Sequence, residues 1–197
     1  MKPLKFVHIS KTAGTTIEEE AKRGGILWGI NHIEYGWHHD RLANKPQTLR
    51  EKYDWFTVVR NPYTRIISEF HCKWGGMGGI GPDKLKKVTE EEFNNFLICN
   101  IENVDRIRGN HYTPQHDYID NEIPIIVLKF ENLKTEFDRL MKKYKLPVTL
   151  ESRENVGYKV FNYSNINQKL HDLINKTYEK DFEHFDYDIK DYVKGTG

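Results

Sequence analysis

Short apolar runs alternate along the chain with stretches whose apolar positions recur every three or four residues. Residues 5–9 (KFVHI), 55–59 (WFTVV) and 125–130 (IIVLKF) are too short for helices and rich in β-branched and aromatic side chains, so each predicts a buried strand. A turn of small residues follows the first run and leads into a helix over about residues 15–23. The second flows through Arg60-Asn61 into a helix from Pro62, since proline is favourable at the first helical position. Beyond the third, Leu133, Phe137, Leu140, Met141 and Tyr144 form a one-face helical stripe. Thr89-Glu90-Glu91-Glu92 reads as a capping box that opens a helix bearing Phe93, Phe96 and Leu97. A last stripe carries Ile166, Leu170, Leu173, Ile174 and Tyr178 and is expected to run on to Phe182 and Phe185. The glycine-rich residues 75–82 are expected to be irregular, a surface loop first and a substrate lid second.

Strands separated by helices predict an α/β fold, with a mainly parallel central sheet flanked by helices. Ligands of such sheets bind beyond the carboxyl ends of the strands, which directs attention to the turns at residues 10–16 and 60–65. The length of 197 residues and an apolar share of 38%, before counting 14 glycines, suit one domain over residues 1–197 with a sizeable core. Thirty Lys and Arg against 29 Asp and Glu leave a net charge of +1, which excludes a strongly basic nucleic-acid coat; no nucleic-acid partner is expected. Two cysteines make neither a disulfide scaffold nor a Cys-rich zinc site. No apolar run approaches the ~20 residues of a membrane span, and the N-terminus lacks the apolar stretch of a signal peptide. A soluble, cytoplasmic protein is therefore expected.

Ser10-Lys11-Thr12-Ala13-Gly14-Thr15-Thr16 follows a strand and opens a helix, so backbone N–H groups and the positive helix end converge on one point. Lys11 adds a full charge and the threonines add hydroxyl donors. The order of residues departs from a nucleotide-triphosphate loop, where lysine follows the glycines; here it precedes a single glycine. A bland reading, a small-residue helix start beside a surface lysine, competes with the anion site. The second turn adds weight, because Arg60 can clamp a phosphate bidentately and Ser68 can donate to the same group from the next helix. Two such turns on neighbouring strands suit one ligand carrying two separated phosphates.

The phrase Phe6-Val7-His8-Ile9-Ser10-Lys11-Thr12-Ala13-Gly14-Thr15-Thr16 resembles the 5′-phosphosulfate loop of sulfotransferases that use 3′-phosphoadenosine 5′-phosphosulfate (PAPS). Residues 56–70 (FTVVRNPYTRIISEF) resemble the 3′-phosphate motif of the same family, R-[ND]-P-x-x-R-x-x-S. Weaker likeness continues through Thr113-Pro114-Gln115, Phe130-Glu131-Asn132-Leu133 and residues 178–187. The carbohydrate branch, including the heparan sulfate 6-O-sulfotransferases, is the most similar. The resemblance implies a P-loop-like sulfotransferase fold, PAPS as sulfuryl donor and a hydroxyl acceptor on a carbohydrate. It also implies donor contacts at Lys11, Thr12, Ala13, Gly14, Thr15, Thr16, Arg60 and Ser68, with Lys11 acting on the leaving group. No metal is expected, because a sulfuryl group carries less negative charge than a phosphoryl group.

An alcohol acceptor must lose its proton, and imidazole titrates nearest neutral pH. His8 lies in the first predicted strand and reads as structural, while His171 and His184 read as packing or surface residues. His38 and His39 stand in Tyr35-Gly36-Trp37-His38-His39-Asp40, between the two motifs. This resembles the G-x-H-x-D stretch that carries the base of the 6-O-sulfotransferases, a register that selects His38, with Asp40 to orient it. The bland alternative is a solvated polar loop. A metal site at His32, His38, His39 and Asp40 is set aside, because the spacing holds no helical His-x-x-x-His pair and no cysteine lies nearby. His71, His111 and His116 stand behind as residues of an acceptor site, and Trp37, Trp74 and Tyr112 read as packed aromatics before sugar platforms. Two other functions compete: a P-loop-like nucleotide or sugar kinase, which lacks the Walker lysine and a metal-binding aspartate, and a non-catalytic binding module that keeps the fold without turnover.

Overall fold

The computed structural model describes residues 1–29, 39–104, 111–119, 122–151 and 159–192. In chain order the regular elements are β1 (Leu4–Val7), α1 (Gly14–Arg23), α2 (Gln47–Lys52), β2 (Asp54–Val59), α3 (Pro62–Phe70), α4 (Pro82–Leu85), α5 (Glu90–Glu102), β3 (Ile125–Lys129), α6 (Leu133–Tyr144), α7 (Gln168–Thr177) and α8 (Glu179–His184). They fall into two compact units, Met1–Arg60 with Gln115–Glu154 and Asn61–Pro114 with Asn155–Gly197.

The first unit holds a parallel three-stranded sheet in the order β1-β2-β3. Phe6 pairs with Phe56, which pairs with Ile126. Period-two alternation puts Leu4, Phe6, Phe56, Val58 and Leu128 on one face, where they meet Ile17 and Ala21 of α1 and Phe137, Leu140 and Met141 of α6. The Phe56 ring lies 4.8 Å from Phe6, 5.0 Å from Trp28 and 6.2 Å from Phe137, centroid to centroid. Burying a side chain of this size stabilises the fold by about 1.5–3 kcal/mol. Trp28 adds an indole N–H donated to the carbonyl of Leu4 at 2.9 Å, so its polar edge is satisfied inside the core. The three strands thus form where the apolar runs predict them, and the α/β architecture with a parallel sheet is confirmed.

The second unit is helical. Tyr63, Ile66, Ile67 and Phe70 of α3 pack with Phe93, Leu97, Ile98 and Ile101 of α5 and with Leu170 and Ile174 of α7. Asn61 caps α3, its side chain accepting from the Tyr63 amide at 3.1 Å, and Pro62 follows at the first position. The predicted capping box of α5 is present in both directions between Thr89 and Glu92. Two expectations need correction. The final stripe is not one helix: it breaks at Tyr178 (φ −110°, ψ 21°), whose buried hydroxyl donates to the Tyr112 carbonyl at 2.7 Å. Residues 75–82 are not wholly irregular, because Met77–Ile80 makes a 3₁₀ turn and Pro82 opens α4. The glycines there serve close approach, since a Cβ on Gly76 would lie 2.0 Å from the Glu69 carbonyl oxygen and one on Gly78 2.1 Å from that of His71.

Candidate functional site

The turn after β1 is built from strained backbone. Lys11 (φ 63°) and Ala13 (φ 70°) both occupy the left-handed region, which costs a non-glycine residue roughly 1–2 kcal/mol. Alternating left-handed residues turn successive N–H groups inward, a concavity suited to an anion. Ala13 is also the N-cap of α1 and supplies no side-chain cap, so the first amides of the helix lack the partner that a Ser or Asp would give. The Thr12 hydroxyl donates to the Ile9 carbonyl at 2.8 Å and closes the turn from inside. Thr12 therefore braces the loop, while Thr15 is exposed and Thr16 half-buried at the helix start. The Lys11 ammonium has no ion-pair partner among the described residues.

Gly14 is required for a reason that the sequence does not display. A Cβ there would lie 2.0 Å from Cδ2 of His8. That imidazole is buried just beyond β1 and bonded through Nδ1 to Glu18 Oε1 at 2.8 Å, so the structural reading of His8 holds. His39 sets its ring edge against His8, centroids 4.4 Å apart. Its Nδ1 lies 3.1 Å from the His8 carbonyl oxygen and acts as the donor to it, a bond that leaves Nε2 as the acceptor nitrogen. Asp40 accepts from Asn44 Nδ2 at 2.8 Å, which turns its carboxylate to Asn44. Lys45 is buried, which lowers its pKa against the opposing charge of Asp40. His38, the predicted base, lies outside the described residues, as do His32 and Trp37.

Arg60, at the end of β2, belongs to the same unit as the Lys11 turn and touches it: Nη1 donates to the Lys11 carbonyl at 3.2 Å. Its guanidinium also lies over the Phe130 ring, 4.1 Å from the centroid. Buried Gln115 grips the Arg60 backbone at both ends, accepting from its N–H and donating to its carbonyl at 2.8 Å each. Gln115 and Phe130 were not predicted as site residues. The only sequence signal for them is the weak family likeness around each, since neither residue type announces a support role. Ser68 lies half-buried on α3, in the second unit.

The remaining candidates separate clearly. His71 gives Nδ1–H to the Ile67 carbonyl at 2.8 Å, and its Nε2 accepts from the amides of Val160 at 3.0 Å and Phe161 at 3.3 Å. Both nitrogens are thus engaged in structure. His116 pairs with Asp117 at 2.9 Å, and Asp117 also binds Arg41 at 2.8 Å. Tyr112 is packed as expected, 2% exposed, whereas Trp74 is 80% exposed with Lys73 over its ring, which corrects the packed reading.

A family model described as "Sulfotransferase family" matches residues 30–188. The centrosomal protein kizuna of Bos taurus is 28% identical over 141 residues, which cover 72% of this chain and 18% of that protein. The chain therefore spans under a fifth of the length of that curated relative. No solved structure matches. Among the described residues, no helix is long and apolar enough to cross a membrane.

Proposed function

This chain belongs to the sulfotransferase family, and on that premise we propose that it transfers a sulfuryl group from PAPS to a hydroxyl, with a carbohydrate as the acceptor class. The observation that carries the reading is the turn after β1, with Lys11 and Ala13 left-handed, the start of α1 uncapped, and Arg60 bonded to the Lys11 carbonyl. Such a turn offers amides to the 5′-phosphate of the donor, and Lys11 places its charge where the bridging oxygen gains negative charge as the S–O bond breaks. Arg60 and Ser68 take the 3′-phosphate. His38 accepts the acceptor's proton as the new S–O bond forms, so the products are a sulfate ester, 3′-phosphoadenosine 5′-phosphate and a protonated imidazole. His39, whose Nδ1–H goes to the His8 carbonyl and whose Nε2 is left as the acceptor, is the second candidate for the base in the same stretch. No step calls for a metal ion.

Incubation with PAPS and a panel of carbohydrate acceptors, read by mass spectrometry, should show the gain of one sulfuryl group. Binding of the bisphosphate with no transfer to any acceptor would favour the non-catalytic module, and stabilisation by magnesium-ATP would favour the kinase. Lys11→Ala should lower kcat more than it weakens bisphosphate binding, because its charge matters most in the transition state. An unchanged kcat with a raised KM would reduce Lys11 to a binding charge.

A further inference from the structure

Glu69, Cys72 and His111 of the second unit bring a carboxylate, a thiol and an imidazole together, with candidate ligand atoms all within 4.8 Å of one another. Each is fixed by backbone geometry. Glu69 sits on the last turn of α3, and the Cys72 amide donates to its carbonyl at 2.8 Å. Arg65, one turn earlier, donates to the carbonyls of His111 at 2.8 Å and Thr113 at 2.9 Å, which docks that segment against α3. His111 Nδ1 then lies 2.9 Å from Glu69 Oε1. The other carboxylate oxygen, Oε2, is buried and has no hydrogen-bond partner among the described residues. An orphaned oxygen on a fully buried carboxylate is costly, and it points to a ligand.

We infer that Glu69, Cys72 and His111 form a binding site for a divalent cation of the zinc class, with the fourth position open to water. One sulfur, one nitrogen and one oxygen donor suit borderline zinc, whereas magnesium and calcium take oxygen ligands. Metal–ligand bonds of about 2.0–2.3 Å place tetrahedral ligand atoms roughly 3.3–3.7 Å apart. The observed separations, from the 2.9 Å pair up to 4.8 Å, bracket that range. The Trp74 and Gly75 amides donate to the Cys72 sulfur, the kind of support that holds a metal-bound thiolate. A Cβ on Gly75 would lie 2.1 Å from Glu69 Oε1 and 2.7 Å from His111 Nδ1, so bare backbone covers the trio on that side. The His111 side chain is 23% exposed and leaves a way in.

Tag-free full-length protein, stripped of metal, is titrated with cobalt(II) as a spectroscopic stand-in for zinc. One equivalent should give tetrahedral d–d bands and a sulfur-to-cobalt charge-transfer band, and zinc should displace it and raise the Tm. Cys72→Ser should remove the charge-transfer band and weaken binding more than ~100-fold, beyond the usual cost of a lost supporting residue. His111→Gln and Glu69→Gln should weaken it as well, while Cys99→Ser, which alters the exposed cysteine of α5, should leave the band intact. Absence of cobalt binding, or a bound cobalt without the thiolate band, overturns the site using wild-type protein alone, whatever the variants' folding. Loss of the band in Cys99→Ser rather than Cys72→Ser overturns it equally.

Discussion

The conformation of single residues decides what the turn after β1 can do. Its composition was legible in the sequence, but the left-handed Lys11 and Ala13 were not, because positive φ at a non-glycine residue is imposed by surrounding packing. Gly14 was legible as a small residue of the turn, yet its contact with the His8 ring depends on a buried pair that sequence spacing does not reveal. Gly14→Ala should push that ring off Glu18 and cost about 1–3 kcal/mol, the usual penalty of overpacking. Thermal melting checks this, and an unchanged Tm would mean that the ring relocates freely. The base is tested by a pair of substitutions. His38→Ala should lose about 10²–10⁴ in rate while still binding the bisphosphate, and His39→Ala should keep the larger share of activity. The reverse pattern in single-turnover assays would move the base to His39, and activity in both would place it elsewhere.

Elements were more legible than their ends. Strand and helix positions follow from apolar periodicity, and the Thr89 box from its own four residues, since both signals are local. At the break, the Tyr178 hydroxyl reaches a carbonyl 66 positions away in sequence, a tertiary tie that no helical stripe records. A similar long-range tie joins α6 to the start of β2: the Tyr144 hydroxyl donates to Asp54 Oδ2 at 2.9 Å. Burial first, and then the Asp54 hydrogen bond and charge, push the Tyr144 pKa up to about 12. The folded value is raised above the unfolded value of about 10, so this contribution to stability is complete below pH ~10 and is lost as pH climbs to about 12. Tyr144→Phe should therefore show a shallower alkaline fall in stability than the wild type across that window. Equal slopes in denaturant titrations would remove the tie from the account.

At the scale of the whole molecule, the proposed sulfuryl donor carries two separated phosphates. The proposed roles of Arg60 and Ser68 predict that 3′-phosphoadenosine 5′-phosphate raises the Tm well above the shift given by AMP. A ligand at a hundredfold excess over its Kd stabilises the native state by about 2.7 kcal/mol. Arg60→Ala should erase the preference, and equal shifts from the two nucleotides in the wild type would remove the support for a 3′-phosphate site. What the sequence could not convey is the order in which the chain is threaded. The first unit is interrupted by all of Asn61–Pro114, yet β3 completes its sheet beside β2. During synthesis at about 5–20 residues per second, β2 must wait several seconds for its second neighbour. For that time Trp55, Phe56, Val58 and Val59 belong to a strand with a bare hydrogen-bonding edge, a template for pairing between nascent chains. Yield on expression should thus depend on the rate of translation and on chaperone supply, quite apart from how stable the finished protein is.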